Sequence, residues 1–340
     1  MTRDARWPAL ALLLLTACSS PQPSQRSQAE ASPGQGASPS DSVATPSASA
    51  ALTGWQVLDD APFARLEMAV AAHDGRIWLA GGLSPTGEAL ADVEIFDPAS
   101  GEWSEGPSLP TGIHHAALVS DGERLILIGG YLGPDFNRPT ELVLVLGDDD
   151  DDTWREGPAL PAARAAGAAA WDGSRVVYAG GVAEGGVIAD VYAMQGDAWE
   201  TIGAMAAPRE HLAAASDGDG RVWLLGGRVG SLTSNLADVE LVTADGVASL
   251  DPLPTARGGV AAFHIDGLGA CLTGGEAPDR AYRTVECIDA AGTVTTLPEL
   301  LEPHHGHGAA VVDGVAYVLL GGPEPTLSAG STIESLVLEP

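Results

Sequence analysis

The chain has 340 residues, with 46 acidic side chains against 16 basic ones and a formal net charge of -30. Every basic residue is an arginine, so lysine chemistry is excluded, both Schiff-base catalysis and the phosphate loop of nucleotide hydrolases. A surface this acidic also excludes broad contact with a nucleic-acid backbone, and three cysteines are too few for a disulfide scaffold or a cysteine-rich metal cluster.

The chain opens with Arg3 and Arg6, followed by an apolar run from Ala9 to Leu15. That run is too short to span a bilayer and suits the core of a signal peptide over residues 1–17. The next residues, Leu15-Thr16-Ala17-Cys18, resemble the lipobox of bacterial lipoproteins. The resemblance implies cleavage before Cys18, lipidation of its thiol and export. An ordinary signal peptide that happens to contain Cys18 is the alternative. Ser19 in place of a retention aspartate favours the outer membrane or cell surface of the envelope. Residues 18–53 read as a lipidated cysteine and a disordered tether. Ser19 to Ala50 hold ten serines and five prolines, with almost nothing to bury. The tether spans roughly 30 Å, and the acyl chains are the expected membrane contact.

From residue 54 onward the sequence repeats. Glycine pairs fall at Gly81-Gly82, Gly129-Gly130, Gly180-Gly181, Gly226-Gly227, Gly274-Gly275 and Gly321-Gly322, at steps of 48, 51, 46, 48 and 47 residues. Each pair ends a strand-like run such as Arg76 to Ala80, and about eight residues earlier stands an Asp-Gly. Asp-Gly between apolar runs signals a tight hairpin with positive φ at both central positions. A third strand follows, for example Asp92 to Asp97. A fourth begins at Trp103, Trp154 or Trp199, and Val247 and Val294 replace tryptophan in blades four and five, which should weaken those strands. Four short strands per repeat, six times over, predict an all-β, six-bladed propeller with four-stranded antiparallel blades over residues 54–340. The last repeat lacks a fourth strand, and Trp55 to Leu58 read as a stray one. The N-terminal strand is therefore expected to complete the last blade and leave no open edge.

The glycine pairs, the tryptophans and the period resemble the kelch repeat. The resemblance implies a ligand site on the face where each blade's innermost strand (strand a) begins. Two columns stand there, counted back from each Asp-Gly. One holds Arg65, Gly112 or Ile113, Arg164, Arg209, Arg257, and His304 or His305; the other holds Met68, His115, Ala166, His211, Val260 and His307. Arg65, Arg164, Arg209, Arg257, His115, His211, His304 and His307 are the expected binding set, and three readings compete for them. In the first they are ordinary construction, the arginines bonding carbonyls and the histidines packing between blades. The second is a funnel for an anionic ligand, such as a sugar acid, to which arginine binds in two-pronged fashion. The third, a three-histidine metal site, is disfavoured because arginine charge would repel a cation and side chains on opposite walls would not meet. No metal and no cofactor is expected. A one-residue slip would turn a column away from the channel.

Elsewhere, the five aspartates Asp148 to Asp152 read as a solvated loop rather than a calcium site. His73 and His264 fall near the Asp-Gly turns and read as incidental. Cys271 and Cys287 fall on neighbouring strands, where a disulfide is favoured over two free thiols in an exported protein. The expected function is a monomeric, non-catalytic module that binds a protein or glycan at the strand-a face. The alternative is a sugar-acid mutarotase of the sialic acid type, with Glu67 or Glu210 as its base. Nucleic acid is not an expected partner.

Overall fold

The computed structural model describes residues 54–147 and 153–338, and all regular structure within them is β-strand. The signal peptide, Cys18, the tether and Asp148 to Asp152 lie outside the described residues. The strands form six antiparallel four-stranded blades. Blade one orders Ala69–His73, Arg76–Ala80, Val93–Asp97 and Glu102–Glu105 from the inside out (strands a to d). Blades two to five repeat this order, and blade five adds a two-residue strand, Arg280–Ala281.

Blade six takes three strands from the end of the chain and its outermost strand from Gln56–Val57. Gln56 pairs with Ser335 and Val57 with Glu334, so the N-terminal strand closes the ring as expected. The Trp55 indole donates to Pro298 O at 3.0 Å. Trp154 and Trp199 do the same with Pro107 O and Pro158 O, each in the preceding blade. Trp55 is thus the outer-strand tryptophan that the sixth repeat lacks. The seam is packed as well: Ile77, Leu79 and Phe96 of blade one share an apolar cluster with Tyr317, Leu319 and Ile333 of blade six.

Small residues let six inner strands crowd one axis: Ala69–His73 reads AVAAH, Ala168–Trp171 AAAW and Ala213–Ser216 AAAS. Two closed circuits of backbone hydrogen bonds lock them together. In one, the second glycine of each of the first five pairs, and Gly321 in blade six, donates to the opening of the next blade, from Gly82 N to Ile113 O round to Gly321 N to Arg65 O. In the other, Glu67, His115, Ala166, His211, Gly259 and Gly306 bond in sequence, each N–H donating to the preceding carbonyl at 2.7–3.0 Å. All six hold φ between 52° and 68°. That is glycine's territory, yet four of the six are not glycine, so the closed circuit holds them against their local preference.

Three details depart from the sequence reading. In blade six the glycine pair sits one residue off: Leu320 (φ 57°) and Gly321 (φ 80°) occupy the places of Gly81 and Gly82 (φ 64° and 96°). The Asp-Gly turns have two positive φ values only in blades one and six. In blades two, three and four the aspartate instead accepts hydrogen bonds from following amides, as Asp172 does from Ser174 and Arg175. Nor are the outer strands without tryptophan consistently shorter, although Val294–Thr296 runs only three residues. Gly246–Leu250, with Val247, runs five residues, whereas Arg155–Glu156, beside Trp154, runs two.

Candidate functional site at the mouth of the ring

The arginine column does not face the channel. Arg65, Arg164, Arg209 and Arg257 are at most 3% exposed. Each turns back into its own blade. Arg65 donates to Glu94 at 2.6 Å and to Gly81 O. Arg164 donates to the Tyr192 hydroxyl at 2.7 Å and pairs with Asp190. Arg209 pairs with Glu240 and donates to Leu224 O. Arg257 donates to Glu286 at 2.5 Å and to Leu272 O. His304 takes the same place in blade six, its Nδ1 against Leu320 O and its Nε2 3.3 Å from Glu334.

In blade two the column holds Ile113, and the third-strand position that elsewhere carries the partner holds Leu144. Ile113 and Leu144 pack in one apolar cluster. Charge is replaced by hydrocarbon on both sides at once, which marks the column as blade construction. Some guanidinium nitrogens, Arg209 Nε and Nη1 among them, have no partner among the described residues, but at 3% exposure or less these arginines present no accessible edge to an external anion.

The histidine column divides. His307 is buried, with Nε2 2.8 Å from Thr273 Oγ1, and lies below the mouth. His115 and His211 sit on the innermost hydrogen-bond circuit, where the walls do meet: His115 Nε2 lies 3.0 Å from His211 Nε2. The third residue there is Glu67, a carboxylate the sequence offered only as a base. Its oxygens lie 3.4 Å from His115 Nε2 and 3.9 Å from His211 Nε2. The remaining circuit positions are Ala166, Gly259 and Gly306, and their small side chains leave room for these three.

Glu67, His115 and His211 form a floor between two spaces. Below is a narrow part of the channel, about 90 Å³. Above is a cup of about 390 Å³, walled by Leu83, Phe136, Arg228, Glu276, His305 and Leu327 among others. The aromatic side of the wall is tied to the floor, with the Phe136 ring 4.9 Å from that of His114 and 5.2 Å from that of His115. Arg228, the guanidinium in the wall, is held by Glu210 at 3.1 Å and Glu276 at 2.7 Å.

Burial dominates the protonation of the floor. It holds His115 down at about 3, helped by the Arg228 charge, and keeps His211 well below the usual imidazole range. Beside them, burial and the His115 ring hold His114 at about 4. Burial pushes Glu67 up, against the pull of His305 and Arg228. Both floor histidines are therefore neutral near pH 7.

On the opposite side of the protein, His73 Nδ1 bonds Ser120 Oγ and His264 stacks against Trp223. In blade five, Cys271 faces Cys287 in register across adjacent strands, and the two are joined as a disulfide.

Comparison with known proteins agrees with this architecture. The kelch motif model matches residues 64–110, the opening and strands of blade one. Kelch-like protein terF of Aspergillus terreus is 26% identical over 306 residues, covering 82% of this chain and 65% of its own length. Beta-scruin of Limulus polyphemus is 28% identical over 55% of the chain, and a kelch repeat-containing protein of Arabidopsis thaliana 29% identical over 37%. The chain spans about two thirds of the first relative and under a third of the other two. It is a six-bladed β-propeller that carries a kelch motif and is similar to kelch proteins over most of its length.

Proposed function

We propose that the propeller is a binding module for a protein partner, engaged through the cup at the strand-a face. The observation that carries this reading is the apolar rim. Phe136, Val229 and Leu327 are large hydrophobic side chains left 59%, 41% and 54% exposed on loops of that face. Phe136 and Leu327 also line the cup, together with Leu66, Leu83, Pro134 and Leu232. An aromatic and aliphatic collar over a concave floor is the form of a pocket that seats an apolar anchor side chain. Rigid blades with the contacts carried on loops suit recognition. Capture of a sugar acid, by contrast, has lost its donors, because the arginine column is buried within the blades and Arg228 is already paired with two carboxylates.

The same proposal places the module outside the cell, tethered through Cys18 and the segment that follows it. Support comes from the lipobox-like run ending at Cys18 and from a disulfide that suits an oxidising compartment. Metabolic labelling with an alkyne fatty acid is expected to mark the wild-type chain and not Cys18→Ala. Equal labelling of both would overturn the anchor.

Partner binding is tested with the full chain in its own cells, carrying a photo-crosslinking amino acid at Phe136 or, on the opposite face, at His264. The cup position should give a discrete protein adduct that Leu327→Ser removes, and the far face should give none. Crosslinking from His264 alone, or only to carbohydrate, would refute the reading.

A further inference from the structure

We infer that Glu67, His115 and His211 form a binding site for one divalent transition-metal ion of the zinc or iron(II) kind, set in the floor of the cup. The ligating atoms of the three residues lie within 4.8 Å of one another. Two imidazole nitrogens and one carboxylate oxygen are the donor set that such ions take, while calcium and magnesium prefer oxygen alone. Two nitrogens that share an ion at about 2.0–2.1 Å stand roughly 2.9–3.4 Å apart. His115 Nε2 and His211 Nε2 are 3.0 Å apart.

The surroundings direct both rings at that point. His115 Nδ1 faces His114 Nδ1 at 2.5 Å, and His211 Nδ1 is in contact with the Glu210 carboxylate. With each Nδ1 engaged, each Nε2 is left for the ion, and a carboxylate behind a ligating histidine is the usual orienting partner.

Charge favours a cation despite Arg228. Three carboxylates, Glu67, Glu210 and Glu276, stand against one guanidinium. His305, with both ring nitrogens against the carbonyls of Gly322 and Thr326, cancels at most one more.

The backbone points the same way. His115 and His211 hold φ of 55° and 52°, although glycine fills the equivalent places at Gly259 and Gly306. Imidazoles are thus kept where the backbone would be better served by glycine. Three protein ligands leave coordination positions free toward the cup, within reach of an oxygen donor on whatever occupies it. The inference holds whether or not that occupant is a protein.

The competing arrangement is a metal-free hydrogen bond between the two imidazoles. Titration of the chelator-stripped full chain with Co²⁺, followed by visible absorption and calorimetry, separates the two. One ion per chain is expected, with a d–d spectrum of mixed nitrogen and oxygen ligation. His115→Gly and His211→Gly should each weaken binding by roughly 100-fold or more, and Glu210→Gln by about 10- to 100-fold. Glycine is used because the circuit already accepts it at two positions, so lost binding is not lost fold. His264→Gln, on the far face, should bind as wild type does. Absence of a d–d spectrum, or glycine variants that bind as tightly as wild type, would overturn the inference.

Discussion

Arg257 and Glu286 are 0% and 3% exposed, and their side chains meet at 2.5 Å within blade five. Blade two shows what can stand in their place, since Ile113 and Leu144 fill the equivalent positions. Arg257→Ile alone strands the Glu286 carboxylate in the interior, and removing one partner of a buried pair costs about 3–5 kcal/mol. Adding Glu286→Leu removes the stranded charge. The carbonyls of Leu272 and Thr255 still lose their donor, as does Thr255 Oγ1 its acceptor. The double variant should therefore fall within about 2 kcal/mol of wild type, because a hydrophobic replacement of a buried pair is often near neutral. Glu286→Leu alone strands the guanidinium at a similar cost, so the coupling between the two sites is about 4 kcal/mol or more. Urea unfolding of the four proteins at pH 7, with the disulfide intact, reads this directly from the midpoints. If single and double variants are equally destabilised, the arginine serves the carbonyls rather than the carboxylate, and the reading of the column as paired charge is wrong.

Other consequences can be measured in the same way. Trp55→Ala should cost about 3–5 kcal/mol, as for a buried tryptophan, and should speed amide exchange where Gln56 and Val57 pair with Ser335 and Glu334; unchanged exchange there would contradict closure by the N-terminal strand. Reducing the Cys271–Cys287 disulfide opens a loop with a sequence separation of 16. The expected loss is roughly 3 kcal/mol, and a shift below about 1 kcal/mol would argue that the strand pairing alone holds the blade. Burial opposes ionisation of Asp172, but its hydrogen bonds from Arg175 and Ser174 outweigh this and hold its carboxyl below the usual range. A depressed carboxyl stabilises the fold fully above its unfolded value of about 3.9 and ceases to as the pH falls through the folded value. Asp172→Asn should therefore destabilise at pH 7, by an amount that shrinks below about pH 4; a pH-independent loss would point to packing instead.

The ring was legible from the sequence because its causes are local and repeated: a glycine pair that ends each second strand, a polar hairpin and a tryptophan that reaches back one blade. Closure by Trp55 was legible because one repeat lacked a strand and one strand lacked a repeat. The floor of the cup was not, and the reason is a single residue of register. Counting back from Asp-Gly lands on His115, Ala166 and His211, but on Met68, Val260 and His307 where the circuit has Glu67, Gly259 and Gly306. The hairpins of blades one, five and six place the aspartate one residue further from the circuit, so the column slipped there. The first-column position gives a steadier landmark. Two residues beyond Arg65, Ile113, Arg164, Arg209, Arg257 and His304 lies the circuit residue in every blade. What no count could supply was the inward turn of the arginines, which follows from acidic residues on the third strand of the same blade.

The convergence of side chains from blades one, two and four on one point of the axis is tested most directly by anomalous diffraction at the zinc edge from crystals of the zinc-loaded protein. The account predicts one peak, about 2.0–2.2 Å from His115 Nε2, His211 Nε2 and a Glu67 oxygen. An axis without a peak, with zinc found only on surface carboxylates, would contradict it.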